Sequence, residues 1–357
     1  MNKIKTAFVT FFPIKPDAMG SSAVVNARFL NWPNKKKIFQ ISHVKKINNK
    51  VIETIFITKE NPIQKILKLP ELIFKINRYL KKTQKKIIIL EGASWIFYSF
   101  TIMFFFKVFK KNVKIIYISH SIESDIRKKY SNKFIYFLTK VLEKLVFKYS
   151  HISTSVSLKE KNKINLLYGV KTILLPNGIH LNKINKKNKL NEDYIIYTGS
   201  YLYKPNKDAI DFLNDFVMPN LLKKYPNFKL VLTGGGFNKK YPWIINKEII
   251  PRNELHNLLL QSKCLCVPLK FGSGTRIKIL EALSLGAIVI SSQKGIEGIN
   301  YRRNENIIIA NNKKNILKAI NIFQFKKDNY KTVKQRLENI SMEENCRKLY
   351  NFVSEKF

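Results

Sequence analysis

Hydrophobic and polar positions along this chain repeat one alternation. Short continuous apolar runs alternate with longer segments whose apolar residues recur every three to four positions. In the first half the runs are Thr6–Phe12, Lys37–Val44, Val51–Ile57, Lys86–Glu91, Val113–Ser119, His151–Val156 and Lys171–Leu175. Two of them, KIIILE and VKIIYIS, are nearly all apolar, as strands buried on both faces require. Ala23–Trp32, Ile63–Lys82 and Lys133–Tyr149 carry helical spacing between them. The pattern then restarts. Tyr194–Thr198, Phe228–Thr233, Cys264–Leu269, Ala287–Ser292 and Asn306–Ala310 read as strands, and Asn206–Lys224 and Asn253–Gln261 as helices. This alternation predicts an α/β fold of two doubly wound domains, each a parallel sheet with helices on both faces. The polar stretch Pro176–Asn191 is the best linker between them, with an ordinary long loop as the alternative. The expected domains are residues 1–188 and 189–340. Residues 341–357 are expected to form a helix that packs back toward the N-terminal domain.

Two such domains in series make a cleft between facing strand ends. Ligands of open α/β sheets bind outside the carboxyl ends of the strands. The loops after strands are therefore the candidates: Pro13–Ser22, His120–Glu123, Asn177–Ile179, Gly199–Asn206, Gly234–Gly236 and Gly272–Thr275. The last opens the stretch FGSGTRIKILEALSLG, Phe271–Gly286. A loop of small residues runs there into an amphipathic helix that Gly286 ends. Free N–H groups at such a helix start attract anions. Arg276 and Lys278 add two cations, and Glu281 adds one carboxylate on the face of Lys278. The set suits a nucleotide diphosphate. The plainer alternative is a core helix with a surface Lys278–Glu281 pair. Neither half carries GxGxxG with an acidic residue about 20 positions on, so NAD and FAD are not favoured.

Composition changes this picture in one respect. The chain of 357 residues is long enough for two domains, and its hydrophobic fraction of 45% is enough for real cores. Its formal charge is +41, with 38 basic against 9 acidic residues in positions 1–190 and 27 against 15 after them. Codon bias accounts for most of it, since 56 lysines stand against 9 arginines and Asn and Ile are abundant. Attraction to an anionic inner-membrane surface is the expected consequence. The low Arg share argues against nucleic acid as a partner. Trp95–Phe106 is strongly apolar but too short to span a bilayer. It reads as a buried helix, with an interfacial helix as the alternative. Three cysteines, five scattered histidines and no DxD pair point to no disulfide framework and no metal site. The start MNKIKTAFVTFFPIKPD reads as a first strand rather than a signal peptide, and the expected location is cytoplasmic, peripheral to the membrane.

From Tyr194 to Ile299 the pieces YTGSYLYKPNKDAIDFL, LVLTGGG, VPLKFGSGTRIKILEALSLG and AIVISSQKGIEGI follow one another. With LLPNGI before them and ISHSIES in the first half, the chain resembles the retaining glycosyltransferases of family 4, which have the GT-B fold of two facing Rossmann-like domains. The resemblance implies a nucleotide-sugar donor, no metal or other cofactor, and a glycan or lipid-linked acceptor. It implies that Glu281 holds the ribose hydroxyls as the second carboxylate of an E-x7-E motif. Arg276 and Lys278 would meet the diphosphate, and Gly20 would let backbone N–H groups approach it. His120 would sit by the sugar and acceptor. Gly274 and Thr275 would line the sugar pocket, and Gly199 and Ser200 its turn after the first strand of domain two. Two positions depart from the pattern. Ser273 stands where the motif has its first Glu, and Ser200 and Pro205 stand where the family commonly has Arg and Lys. Lys204 is then a weaker substitute for those cations. Two other readings compete: a different enzyme on the same fold, such as a nucleotide-sugar epimerase, and a noncatalytic basic binding protein for membrane or nucleic acid. The first would want more acid–base groups at the strand ends. The second has no need of the strand-end loops.

Overall fold

The computed structural model describes residues 4–14, 20–44, 50–81, 83–110, 112–178, 193–272, 276–299, 306–321 and 341–355. They form two compact units. The first contains residues 21–178 with the strand Ile4–Thr10 and the helix Met342–Glu355. The second contains Gly20, the described residues from 193 to 321, and Ser341. Of the expected linker, Pro176–Asn191, residues 179–191 lie outside the described residues.

The first unit has a seven-stranded sheet of β1 (Ile4–Thr10), β2 (Lys35–Ser42), β3 (Ile52–Phe56), β4 (Lys85–Gly92), β5 (Val113–Ser119), β6 (Ile152–Ser155) and β7 (Ile173–Leu174). All pairs are parallel, in the order β3-β2-β1-β4-β5-β6-β7. Between the strands run α1 (Ser21–Asn31), α2 (Pro62–Leu67), α3 (Leu69–Leu80), α4 (Ile96–Phe109), α5 (Glu123–Tyr130), α6 (Lys133–Tyr149) and α7 (Leu158–Tyr168). Residues of α3, α4, α6 and α7 share one core on one face of the sheet. Those of α1 share the other with the helix Met342–Glu355. The spacing of Ile63–Lys82 predicts one helix. Pro70 splits it, because it suits a helix's first turn but not its interior, and α3 starts afresh with Pro70 in that turn. Asn132 caps α6 by accepting from the Ile135 N–H at 2.8 Å, so the predicted Lys133–Tyr149 helix starts where expected.

The second unit has a six-stranded parallel sheet of β8 (Tyr194–Thr198), β9 (Lys229–Thr233), β10 (Ile244–Asn246), β11 (Cys264–Val267), β12 (Val289–Ser291) and β13 (Ile307–Ile309), ordered β10-β9-β8-β11-β12-β13. Its helices are α8 (Lys204–Phe212), α9 (Met218–Leu222), α10 (Arg252–Gln261), α11 (Ile277–Ser284) and α12 (Lys313–Asn321), and α13 (Met342–Glu355) is the helix that returns to the first unit. The pattern over Asn206–Lys224 predicts one helix. The structure breaks it with a π-helical turn at Leu213–Val217, just before Pro219, whose missing N–H would interrupt an α-helical ladder. β10 is an edge strand of three residues that the apolar pattern did not single out. Gly286 ends α11 as expected, with φ +74 and the Ala287 N–H donating back to the Ala282 carbonyl at 2.9 Å. Among the described residues no helix is long and apolar enough to cross a membrane.

Candidate active site

In the second unit the strand order reverses between β8 and β11. Loops that leave such a switch point diverge to opposite faces of the sheet and open a crevice. Gly199 leaves β8 there, with φ +140, a backbone that other residues rarely adopt. A side chain there would also displace its neighbours. A Cβ on Gly199 would lie 2.7 Å from Lys278 Nζ and 2.7 Å from Asn206 Nδ2. The close approach delivers Lys278 from the first turn of α11 to the end of β8.

Lys278 meets no carboxylate there. Its Nζ donates to Asn206 Oδ1 at 3.2 Å and sits 4.1 Å from the centre of the Tyr197 ring. Asn206 is itself fixed, accepting from Tyr197 Oη at 2.8 Å and donating to the Ser200 carbonyl at 3.0 Å. The stem of Lys278 is partly exposed, but its amine is enclosed. Burial, with the Arg276 charge as the second cause, pulls that amine from 10.5 down to about 7. Burial also pushes the Tyr197 phenol up, so the ring stays neutral. Arg276 precedes α11, is 9% exposed, and reaches within 3.0 Å of where a Gly272 Cβ would lie. Two cations thus crowd the start of a helix whose own N–H groups favour an anion.

Glu281 stands one turn further on and does not pair with Lys278. Arg252, from the start of α10, donates through Nε at 2.9 Å and Nη2 at 2.5 Å. Both bonds end on Oε1. Sequence reasoning missed Arg252. Its one signal was its rarity, since the chain has only nine arginines. Ser200 plays a local part. Its hydroxyl accepts from the Leu202 N–H at 3.3 Å, within its own turn. Lys204 turns away to Asp208, at 2.7 Å. Ser273, Gly274 and Thr275 lie outside the described residues.

The first unit holds a second cluster, again at strand ends. Glu91, near the end of β4, is fully buried. Arg28 of α1 donates Nη1 to its Oε1 at 2.7 Å and Oε2 at 2.5 Å, and His120 Nε2 lies 2.7 Å from Oε2. Burial alone would raise the Glu91 carboxyl, but Arg28 and His120 outweigh it and hold the group below 4.5. Glu91 is therefore a carboxylate, and His120 Nε2 carries the proton it donates to it. His120 was expected from sequence. Glu91 and Arg28 were not, because a strand-end Glu and a helical Arg separated by 63 positions show no spacing. Gly20 directly precedes α1 with φ +68 and open space where a Cβ would stand.

The loop after His120 is tied down from below. Glu123, the first residue of α5, caps another helix: its Oε2 accepts from the Ile96 N–H at 2.6 Å at the start of α4. Glu143 of α6 does the capping of α5, accepting from the Glu123 and Ser124 N–H groups at 2.6 and 3.2 Å. Burial lifts the Glu123 carboxyl to about 7 and raises Glu143 as well.

Residues 192–323 match the family profile of the glycosyl transferases group 1. The match spans most of the second unit. The chain is also 28% identical over 195 residues to an uncharacterised 44.6 kDa protein in a cps region of Klebsiella pneumoniae. That stretch spans 46% of this chain and 50% of the relative, about half of its length. Among solved structures it is similar to sucrose-phosphate synthase from Thermosynechococcus elongatus, with TM-score 0.75, 13% identity and 99% of each chain covered. WaaG, a glycosyltransferase involved in lipopolysaccharide biosynthesis, gives TM-score 0.69 at 12% identity, covering 97% of this chain and 99% of its own. Anabaena HepE in complex with UDP and glucose gives TM-score 0.69 at 10% identity, covering 98% and 99%. These likenesses run over nearly the whole chain and establish the two-domain GT-B architecture.

Gly199→Ala should cost about 1–3 kcal/mol of stability from its strained φ alone. It should also displace Lys278. Denaturant unfolding and donor titration together check it, and wild-type values in both would show that the close approach is unimportant.

Proposed function

We propose that the protein is a retaining, metal-independent glycosyltransferase. It moves a sugar, of hexosyl type, from a nucleotide-sugar donor to a hydroxyl of a glycan or lipid-linked acceptor. The observation that carries this reading is the pair of cations, Arg276 and Lys278, held at the start of α11, with Lys278 on an amide and a ring rather than a carboxylate. Such a place suits a diphosphate. Glu281, held by Arg252 through one oxygen, suits the ribose hydroxyls with the other.

The chemistry follows from charge. As the bond from the sugar C1 to the phosphate oxygen breaks, negative charge grows on the diphosphate. Arg276, Lys278 and the α11 N–H groups stabilise that charge more in the transition state than in the ground state. The acceptor oxygen bonds to C1 on the same face, and its proton passes to the departing phosphate oxygen. No protein nucleophile is required. His120 stands by the sugar and acceptor, its ring held by Glu91. Ser273 replaces the carboxylate of the usual motif, so sugar contact falls to the backbone at Gly274 and Thr275. The solved neighbours that carry UDP or UDP-glucose support a nucleotide-sugar donor. The cps-region relative and the neighbours in lipopolysaccharide biosynthesis support a cell-surface polysaccharide or lipopolysaccharide acceptor.

A thermal-shift panel of nucleotide sugars names the donor. Against that donor, Arg276→Ala and Glu281→Ala should each weaken binding about tenfold or more, the loss of a hydrogen bond to a charged group. The folded fraction should be unchanged. Wild-type affinity in both variants would remove this site from the reading.

A further inference from the structure

The outer face of α4 and α6 in the first unit is apolar and cationic at once. α4 is hydrophobic nearly all round. Its inner side, Ile96, Tyr98, Ile102, Met103 and Phe106, is buried in the core. Its outer side is not: Phe104 is 53% exposed and Phe109 63%. The expectation of a buried helix is thus met on one side only. A helix apolar on both sides needs an apolar medium on both.

α6 extends the same surface. It packs beside α4 in parallel, since Trp95 Nε1 donates to Thr139 at one end and Lys107 Nζ to the Tyr149 carbonyl at the other. Phe134 and Phe137 on it are 72% and 65% exposed. Around these rings stand exposed or half-exposed lysines: Lys107 and Lys110 at the end of α4, and Lys133, Lys140, Lys144 and Lys148 along α6. The two helices carry one acidic residue between them, Glu143, and it is buried under the Ser124 and Tyr168 hydrogen bonds. The exposed face therefore has cations and aromatics and no carboxylate.

We propose that the outer face of α4 and α6 docks on an anionic lipid bilayer. The rings enter the interfacial region, and the lysine stems lie along the acyl boundary with their ammonium groups at the lipid phosphates. Charge complementarity selects this occupant. A second copy of the chain would bring six lysines against six. An RNA partner would be met by flexible point charges and by phenylalanines on one flat face, without an arginine on either helix. The inference is independent of the sugar chemistry proposed above, because it concerns no residue of that site.

Co-sedimentation with vesicles tests it. The purified protein should bind vesicles of phosphatidylglycerol and phosphatidylcholine, weaken steeply as salt rises, and bind pure phosphatidylcholine far less. The variant Phe104→Ser, Phe109→Ser, Phe134→Ser, Phe137→Ser should lose at least tenfold in vesicle affinity. Lys133→Gln, Lys140→Gln, Lys144→Gln, Lys148→Gln should lose most of the salt dependence. Both should keep wild-type thermal unfolding and nucleotide-sugar binding. A single Phe137→Trp variant gives a readout without loss of apolar surface, since brominated lipid should quench its added fluorescence. Vesicle binding unchanged by the serine variant, no quenching of the added indole in the Phe137→Trp variant, or equal binding to neutral vesicles would overturn the proposal. So would concentration-dependent dimerisation abolished by the same serines.

Discussion

Glu91→Ala should destabilise the first unit by about 3–5 kcal/mol, the cost of removing one partner from a buried ion pair. Arg28 and Glu91 side chains are 2% and 0% exposed, so the loss leaves a guanidinium in the core with no carboxylate. Denaturant unfolding measures it. A change under about 1 kcal/mol would mean that the pair is not buried as described. The sign with pH is fixed by the direction of the shift. The Glu91 carboxyl is held below its ordinary 4.5, so its stabilisation is present above that value and is lost as pH falls through the lower folded value. The double variant Arg28→Met with Glu91→Leu separates structure from function. Apolar replacement of a whole buried pair is often neutral or stabilising, so most of the stability should return. Turnover should not. His120 would keep its place in the chain and lose the carboxylate that orients its ring, a misplacement worth on the order of 100-fold in rate. Recovery of turnover along with stability would show that Glu91 does nothing for His120.

Donor affinity should fall as pH rises above about 7, and Lys278 is the reason. The free amine titrates at about 7 because burial and Arg276 both oppose its charge. The groups that face it are Arg276, the Tyr197 ring and the Asn206 amide. None supplies an anion. A bound diphosphate supplies two charges and raises the amine, so binding takes up a proton wherever the free site has lost it. Linkage then predicts a loss of about tenfold in affinity per pH unit above that point. Calorimetry in two buffers of different ionisation heat should find close to one proton taken up at pH 8 and little at pH 6. Lys278→Met should abolish the slope and lower affinity at pH 6 by about 10–100-fold, a charged hydrogen bond lost. A wild-type profile flat from pH 6 to 9 would place Lys278 away from the diphosphate.

Much of the fold was legible because it rests on local periodicity. KIIILE, VKIIYIS and YIIYT are strands within a residue or two of their predicted bounds, since runs buried on both faces have nothing polar to blur them. What failed was punctuation inside long helices. Pro70 and Pro219 each broke a continuous spacing, and periodicity alone does not weigh a missing N–H. The site was legible where a loop and helix are contiguous in sequence, as at Arg276, Lys278 and Glu281. It was hidden where side chains meet across the sheet. Arg252 with Glu281, and Arg28 with Glu91 and His120, are contacts between elements. Strand order brings them together, and strand order is not written in spacing. A surface pair of Lys278 and Glu281, three apart on one face, was the plainer alternative. The structure separates them, because Gly199 leaves room that draws the lysine toward β8.

The return of α13 to the first unit has a consequence for synthesis on the ribosome. Its Leu349 and Val353 complete the core beside α1, and Tyr350 donates to Asn34 at 2.9 Å. Asn345 reaches the Pro176 carbonyl at 3.0 Å, and Gly178 lies so close to Met342 that no side chain could stand there. Asn345 and Pro176 are made 169 residues apart. Strands β1 to β7 emerge first, yet the face of their sheet that α1 shares with α13 lacks α13 until the entire second unit has been translated. The later-made domain can therefore finish folding before the earlier one. During that interval Val25, Phe29 and Trp32 are the apolar surface that a nascent-chain chaperone would find.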